Sequence, residues 1–394
     1  MGWQGFTVEE YLSEIKTVNM LGQADIKAWA EFRTQNPVLY SPYFHFDYTR
    51  ILSELCDDVF VLCITKNNMP LAFLPFQAKR NAKGKIGHAR PIGAPMTDYH
   101  GFICPPDIQI DVHTCLRQAG IGMFRFSALV GAAQLNDVYI RETSPCTMMD
   151  ISDGAQKWRE GREPAYRRHL KSHRRRVRKS EEIGARKLVF NCKDQDVFDQ
   201  LIAWKHQQFT DTGKYDVLGA GWPLALLEAL WARNLNEPQT GTLCAQMHAL
   251  YFGDKLAAVD FGIVDGQVFH SWMVGYDKTL QHLAPGIQLL EEMIDNAQAL
   301  GYTRIDLGEG IDGYKRHYAS EDIQVCSGHL AVSGLRAASS KTYASFEKFG
   351  EEKLGKLGAI AGKLRRRYTQ ISACEPRMSR RAKAMLEAFK GAPK

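Results

Sequence analysis

Asp306 and Glu309 stand close together in Asp306-Leu-Gly-Glu-Gly-Ile-Asp-Gly-Tyr314-Lys315, a stretch that gathers carboxylates, a phenol and an amine around three glycines. A carboxylate at a strand end or on the loop after it is placed for general-base work, and a phenol or ammonium just beyond can protonate a leaving group or hold an oxyanion. The same residues also suit turn formation and N-capping, with Tyr314 and Tyr318 packed on a sheet beside a solvated lysine. His270 and Asp260 fall in β-prone apolar runs. Facing a cleft they serve as base or orient an acceptor; facing inward they are core or edge residues with satisfied partners. Pro285-Gly286-Ile287 opens a helical pattern, where a glycine lets backbone N–H groups approach a pyrophosphate and the helix N-terminus adds partial positive charge. A plain helix start is the other reading. Asp98-Tyr99-His100 forms a polar and aromatic cluster in a segment rich in Gly and Pro, where loop capping is the plain reading.

Charge adds a fifth group. From Arg167 to Lys179 there are eight basic residues and no acidic one, Arg174, Arg175 and Arg178 among them; residues 341–394 carry a further net +9, so the remainder of a chain of net +6 is at −11. Clusters of this kind create potentials that attract phosphates, nucleic acid or an acidic membrane face. The nine cysteines are scattered, with no Cys-x-x-Cys pair and no zinc-ligand spacing, so reduced thiols and no metal site are expected.

The elements that must position these groups follow from periodicity. Residues 7–18 and 24–35 read as short amphipathic helices, and 44–55 as a further one. Val59–Thr65 and Leu71–Arg80 read as a hairpin about the turn Asn67-Asn68-Met69-Pro70, followed by a loop at 92–106, a helix near 112–119 and strands near 123–130 and 146–151. After the basic arm the pattern restarts: a short strand at 187–191, helices at 197–210 and 223–234, and a three-strand meander at 242–252, 256–264 and 268–276 with Asp265-Gly266 at a turn. A helix then runs from Pro285 to Gly301, followed by a strand at 304–307 and a last strand near 325–332. This is an α/β order with a mixed sheet. At 394 residues it implies two folded units and an appendage. The expected division is 1–160, 161–335 with the basic arm at 165–180, and a basic tail at 336–394.

Three features together resemble the GNAT-fold acyltransferases of the Fem/CelD-like type, a group associated with cellulose and other exopolysaccharide biosynthesis that includes the Fem peptidoglycan transferases. They are the arm at 167–179, the run from Tyr276-Asp277 through Ala284-Pro285-Gly286 into Leu289-Leu290, and Asp306 to Lys315. The resemblance covers about residues 165–330. It implies tandem GNAT-like units, each a mixed, mostly antiparallel sheet flanked by helices, the first one degenerate. It also implies acyl transfer from acetyl-CoA to an amino or hydroxyl group of a saccharide or lipid-linked saccharide. In that scheme Tyr276, Pro285, Gly286 and Ile287 hold the donor, and Asp306, Glu309 or His270 supply the base. Tyr314 protonates the departing thiolate, and Lys315 holds a phosphate or the oxyanion. Asp98, Tyr99 and His100 face the acceptor, and Arg174, Arg175 and Arg178 bind acceptor or anion. The glycine signature is reduced here to Pro285-Gly286. Fem enzymes take aminoacyl-tRNA instead, with the arm holding tRNA, and a non-catalytic GNAT scaffold that binds a nucleotide or nucleic acid is a third reading.

The tail alternates apolar residues with Lys and Arg and includes Arg365-Arg366-Arg367. It reads either as an element for an acidic membrane surface or an anionic regulator such as a cyclic dinucleotide, or as a helical cap on the second unit. With no run of 18 to 20 apolar residues and no basic-then-apolar N-terminus, the chain reads as cytoplasmic, peripheral to the inner membrane if the tail binds lipid.

Overall fold

The chain, a computed structural model that describes residues 11–82, 84–136, 138–162, 164–236, 242–311, 313–320 and 323–332, with 368, 371–375, 381, 382 and 385 beyond them, folds as two units. One comprises residues 1–143 with 325–362; the other comprises 144–324 with 363–394. The expected boundary at 160 therefore lies at 143, and the last strand belongs to the first unit.

The first unit begins with β1 (Tyr11–Lys16), α1 (Gln23–Gln35), α2 (Phe46–Leu55), β2 (Val59–Lys66) and β3 (Met69–Arg80). The helix expected over 7–18 is thus a strand across its described residues. Its helical periodicity is overridden by antiparallel pairing along β2, from Tyr11↔Lys66 to Lys16↔Val61, with Ile15 packed on the core. Asn67 and Asn68 both take positive φ, as the two-residue turn between right-twisted strands requires. β4 (Ile86–Pro91), unforeseen in the sequence, leads through a long loop to α3 (Val112–Gln118), β5 (Met123–Leu129) and the start of β6 (Tyr139–Asp150). β1 to β4 pair antiparallel and β4 pairs parallel with β5. Leu62, Phe76, Phe124 and Leu129 lie at the centre of its core.

The second unit repeats the plan. After β6 come α4 (Ala155–Glu160), α5 (Pro164–Glu181), β7 (Arg186–Val189), α6 (Gln195–Asp211), α7 (Trp222–Asn236), β8 (Cys244–Phe252), β9 (Lys255–Asp265), β10 (Val268–Tyr276), α8 (Pro285–Asp295), α9 (Ala297–Leu300) and β11 (Arg304–Glu309). β7 to β10 form an antiparallel meander, β10 runs parallel to β11, and β11 is antiparallel to β6. Gly262 permits close approach in this meander: a Cβ there would lie 2.3 Å from Phe269 Cζ and 2.5 Å from the His270 carbonyl oxygen. The final strand, β12 (Gln324–Ala331), returns to pair antiparallel with β5 in the first unit. Its Cys326 and Leu330 join that unit's core.

α5 is the basic arm. Tyr166, His173 and Ser180, spaced by seven, are buried on one side, while Arg167, Arg168, Lys171, Arg174, Arg175, Arg178 and Lys179 are exposed on the other. Most of the tail lies outside the described residues. Its described part includes a helical turn at 371–374 with Ile371 and Cys374 buried, and Tyr215 Oη donates to Glu375 at 3.5 Å.

Candidate active site

Among the described residues the second unit's sheet has one parallel pair, and the sheet opens where that pair parts. β10 and β11 are in register from Val268↔Arg304 to His270↔Asp306. Beyond that point β10 runs on to Tyr276 and β11 to Glu309 without pairing, and each has an irregularity against its other neighbour there, between Ser271 and Met273 and between Asp306 and Glu309. Two strands that part leave backbone edges free to take a ligand between them. α8 begins beside this opening. Ala284 is its N-cap, in the left-handed region and without a side-chain cap, and Pro285 is its first residue. The amides of its first turn therefore lack the side-chain acceptor that commonly satisfies them. Gly286 packs on β10, where an added Cβ would meet only Val274 Cγ1, at 3.4 Å.

A carboxylate, a hydroxyl and an ammonium gather at the same strands. Asp260, on β9, is 4% exposed. Ser271, on β10, donates to its two oxygens at distances of 2.9 and 2.8 Å. Burial pushes the Asp260 carboxyl up to about 7, against the opposing pull of the Ser271 hydrogen bond, His270 and Lys205. Lys205, on α6, donates to Gln208 Oε1 at 2.8 Å and to the Val274 carbonyl at 3.5 Å. Burial, aided by Lys214, pushes its ammonium down to about 8, with Asp260 resisting. Tyr314 is 39% exposed as a residue, yet burial about its phenol and then the charge of Asp260 push it up to about 12. Asp260 and Tyr314 therefore feel each other's charge, and near neutrality one is poised to accept a proton while the other keeps its own.

The other expected site residues are distributed as follows. His270 and Asp306 are fully buried, with Nδ1 3.3 Å from Oδ2, and Gly308 N donates to Asp306 Oδ1 at 2.8 Å. They form a pair inside the sheet beneath the opening, and Asp306 lies within β11 instead of at its end. Glu309, the last residue of β11, is exposed. Lys315 Nζ donates to the carbonyls of Leu307 at 2.6 Å and Glu309 at 3.0 Å, so its ammonium clasps the loop back onto β11. Tyr276 ends β10, and Asp277 caps the turn after it through Thr279 N. Ile287 is half-buried at the start of α8. Asp98, Tyr99 and His100 belong to the first unit. There Tyr99 lies among Tyr40 and Tyr43, and burial pushes the His100 imidazole down to about 3. Arg174, Arg175 and Arg178 are exposed on α5. Lys205 and Ser271 carried no signal in the sequence: one is a lone lysine in an amphipathic helix, the other a serine in a strand.

Behind Tyr314 the loop is locked by a buried network that periodicity did not foresee. Glu291, on α8, is 2% exposed. It accepts from Arg159 Nη2 at 2.9 Å, Tyr166 Oη at 3.1 Å and Tyr318 Oη at 2.8 Å. Tyr318 Oη also lies 2.9 Å from His169 Nε2, which sits on α5. Burial pushes His169 down to about 4, with His317 adding to the effect, and these two rings stack at 4.9 Å. The Tyr314 and Tyr318 rings meet edge to face.

Residues 167–316 match the family described as Acetyltransferase (GNAT) domain. The second unit carries a GNAT acetyltransferase domain. The matched span is under half of the chain and lies within the second unit, and it supports a transferase. Among solved structures, FemX matches with a TM-score of 0.51 at 9% identity, over 81% of this chain and 98% of that one, a likeness of fold. A tandem GNAT protein from the clavulanic acid biosynthesis pathway matches at 8% identity and a TM-score of 0.45, over 82% and 99% of the two chains. The L-PGS of Bacillus licheniformis matches at 10% identity and 0.40, over 82% and 96%. No curated protein matches the chain. Among the described residues no helix is long and apolar enough to cross a membrane.

Proposed function

We propose that the GNAT domain transfers an acyl group, acetyl in the leading case, from a coenzyme A thioester to an amine or hydroxyl of a saccharide or lipid-linked saccharide. The observation that carries this reading is Asp260: a carboxyl raised to about 7, held by Ser271, in the meander strand beside the one whose pairing with β11 ends. A group of that pKa takes a proton from an acceptor near neutrality. We take it, and not Asp306, Glu309 or His270, as the base: Asp306 and His270 are engaged with each other, Asp306 also accepts from Gly308 N, and Glu309 is exposed. His270 acts through Asp260, whose carboxyl it pulls down, and so does Lys205.

The residues present fit the donor. The first turn of α8, with no side-chain cap, offers the amide of Gly286 to a pyrophosphate, and Tyr276 and the part of β10 not paired with β11 lie alongside. When bound, the donor supplies an activated acyl carbonyl and a thiolate leaving group. Asp260 accepts the proton of the attacking amine or hydroxyl. Once neutralised, Asp260 no longer raises the Tyr314 phenol, which becomes the better acid just when the thiolate leaves. Lys315 keeps Tyr314 in reach by clasping the loop.

The test is calorimetric titration with acetyl-CoA of the wild type and of Gly286→Glu, a variant whose Cβ has room. Saturable binding that the variant loses supports the reading; no binding by the wild type overturns it. The exposed cations of α5 favour a second reading, transfer from an aminoacyl-tRNA. In that case aminoacyl-tRNA binds, with a steep dependence on salt, and acetyl-CoA does not. A non-catalytic scaffold binds an anion but turns over neither donor.

A further inference from the structure

At the far end of α8 from the opening lies a second concavity, of about 720 Å3, between α4, α5 and α9. Asp295, on its wall, is nine residues beyond Gly286, which at 1.5 Å per helical residue places it about 14 Å along the helix. It is therefore separate from the donor opening. It is open to solvent on one side, with room to seat a small molecule.

The walls are chemically mixed. Arg167 and Arg174, two helical turns apart on α5, enter from one side; among the described residues neither has an ion pair. Leu170, between them, supplies an apolar floor and packs on the core. Glu160 and Asp295 stand on the walls as well, the first accepting from Gln156 Nε2 at 3.0 Å, the second from Arg159. Guanidinium groups recognise phosphate oxygens through paired N–H donors. Carboxylates and amides accept from and donate to hydroxyls. A continuous polyanion would meet Glu160 and Asp295 and be repelled, whereas a molecule with phosphate at one end and hydroxyls at the other matches both sets of groups.

We propose that this cavity binds a small phosphorylated, hydroxyl-bearing molecule, of the sugar phosphate or nucleotide sugar class, with phosphate on Arg167 and Arg174 and hydroxyls on Glu160 and Asp295. Arg159 is excluded as a test position because it holds Glu291. Arg167 and Arg174 are exposed, so their substitution leaves the core intact.

The experiment titrates the full chain by calorimetry with glucose 1-phosphate and with uridine diphosphate glucose. Glucose and inorganic phosphate serve as controls, and sedimentation with phosphatidylglycerol vesicles runs in parallel. The proposal expects saturable binding of a phosphorylated sugar, tighter than either control. That binding is weakened about tenfold or more in Arg167→Glu/Arg174→Glu and unchanged in Gly286→Glu, with circular dichroism confirming that both variants fold. Absence of binding by the wild type overturns it. Binding lost in Gly286→Glu but kept in the arginine variant overturns it too, by placing the ligand at the donor opening. Retention by vesicles with no response to the sugar phosphates overturns it in favour of a surface for lipid phosphate. The acetyl-CoA titration is independent of every one of these outcomes.

Discussion

Asp260 turns the second unit from a sheet into a candidate catalyst, and it does so against its own stability. Its carboxyl has an ordinary value of 3.8 and is raised by burial to about 7. Between those values the folded chain keeps a proton that the unfolded chain gives up, so folding stability falls as pH rises through this window. Asp260→Asn removes the charge that burial penalises. The variant is expected to have a higher urea midpoint than wild type at about pH 8, with the two converging at about pH 4. Its acyl transfer should fall by about 10²- to 10⁴-fold, the usual span for loss of a general base. In the wild type the rate should rise with pH through about 7. Ser271→Ala should move that rise to higher pH, because the Ser271 hydrogen bonds favour the ionised form; an unmoved profile would reject Asp260 as the base.

At the scale of elements, α8 carries two tasks at once. Its first turn faces the opening, and its middle, through Glu291, anchors the loop that bears Tyr314. Leu290, Met293 and Ile294, at helical spacing, face inward on α8. Gln288 and Glu291 are buried as well, because Ser180 on α5 and the Arg159, Tyr166 and Tyr318 groups meet them. No pattern along one helix announces partners that come from three other segments. Tyr318→Phe leaves Glu291 with Arg159 and Tyr166 but deprives it and His169 of a partner. The expected cost is about 1 to 3 kcal/mol in denaturant unfolding. A lower kcat with an unchanged acetyl-CoA affinity should accompany it, since the loop is loosened and α8's first turn is not. Equal loss of both would show that the network supports the helix and not the loop.

At the scale of the whole molecule, the two units share one strand plan, and the chain crosses back to complete the first one. Cys326 and Leu330 of β12 fill the core of residues 1–143, and β5 has β12 as its antiparallel neighbour. A chain ending at 323 should thus expose β5 as an unprotected strand edge. The first unit is expected to aggregate or to be digested in limited proteolysis. Survival of an intact 11–143 fragment would show that β12 is dispensable.

Local order was legible in the residues themselves. Gly266 and the Asn67-Asn68 pair mark turns because few residues accept positive φ. The meander from Cys244 to Tyr276 follows from β-prone runs between those turns, and Pro285 marks a helix start because it needs no N–H partner there. The basic face of α5 follows from eight cations on a breaker-free run. The sequence by itself also singled out Pro285-Gly286 and Tyr314 beside the opening, and named Asp260 without ranking it above Asp306. The proposed choice among these carboxylates rests on tertiary structure, because a residue's proton affinity depends on burial and on neighbours from other strands. Asp306 meets His270 inside the sheet, Glu309 faces solvent, and Asp260 has Ser271, Lys205 and Tyr314 around it. Membership of the last strand was settled in the same way: its residues read alike in either unit, and only pairing with β5 assigns it to the first.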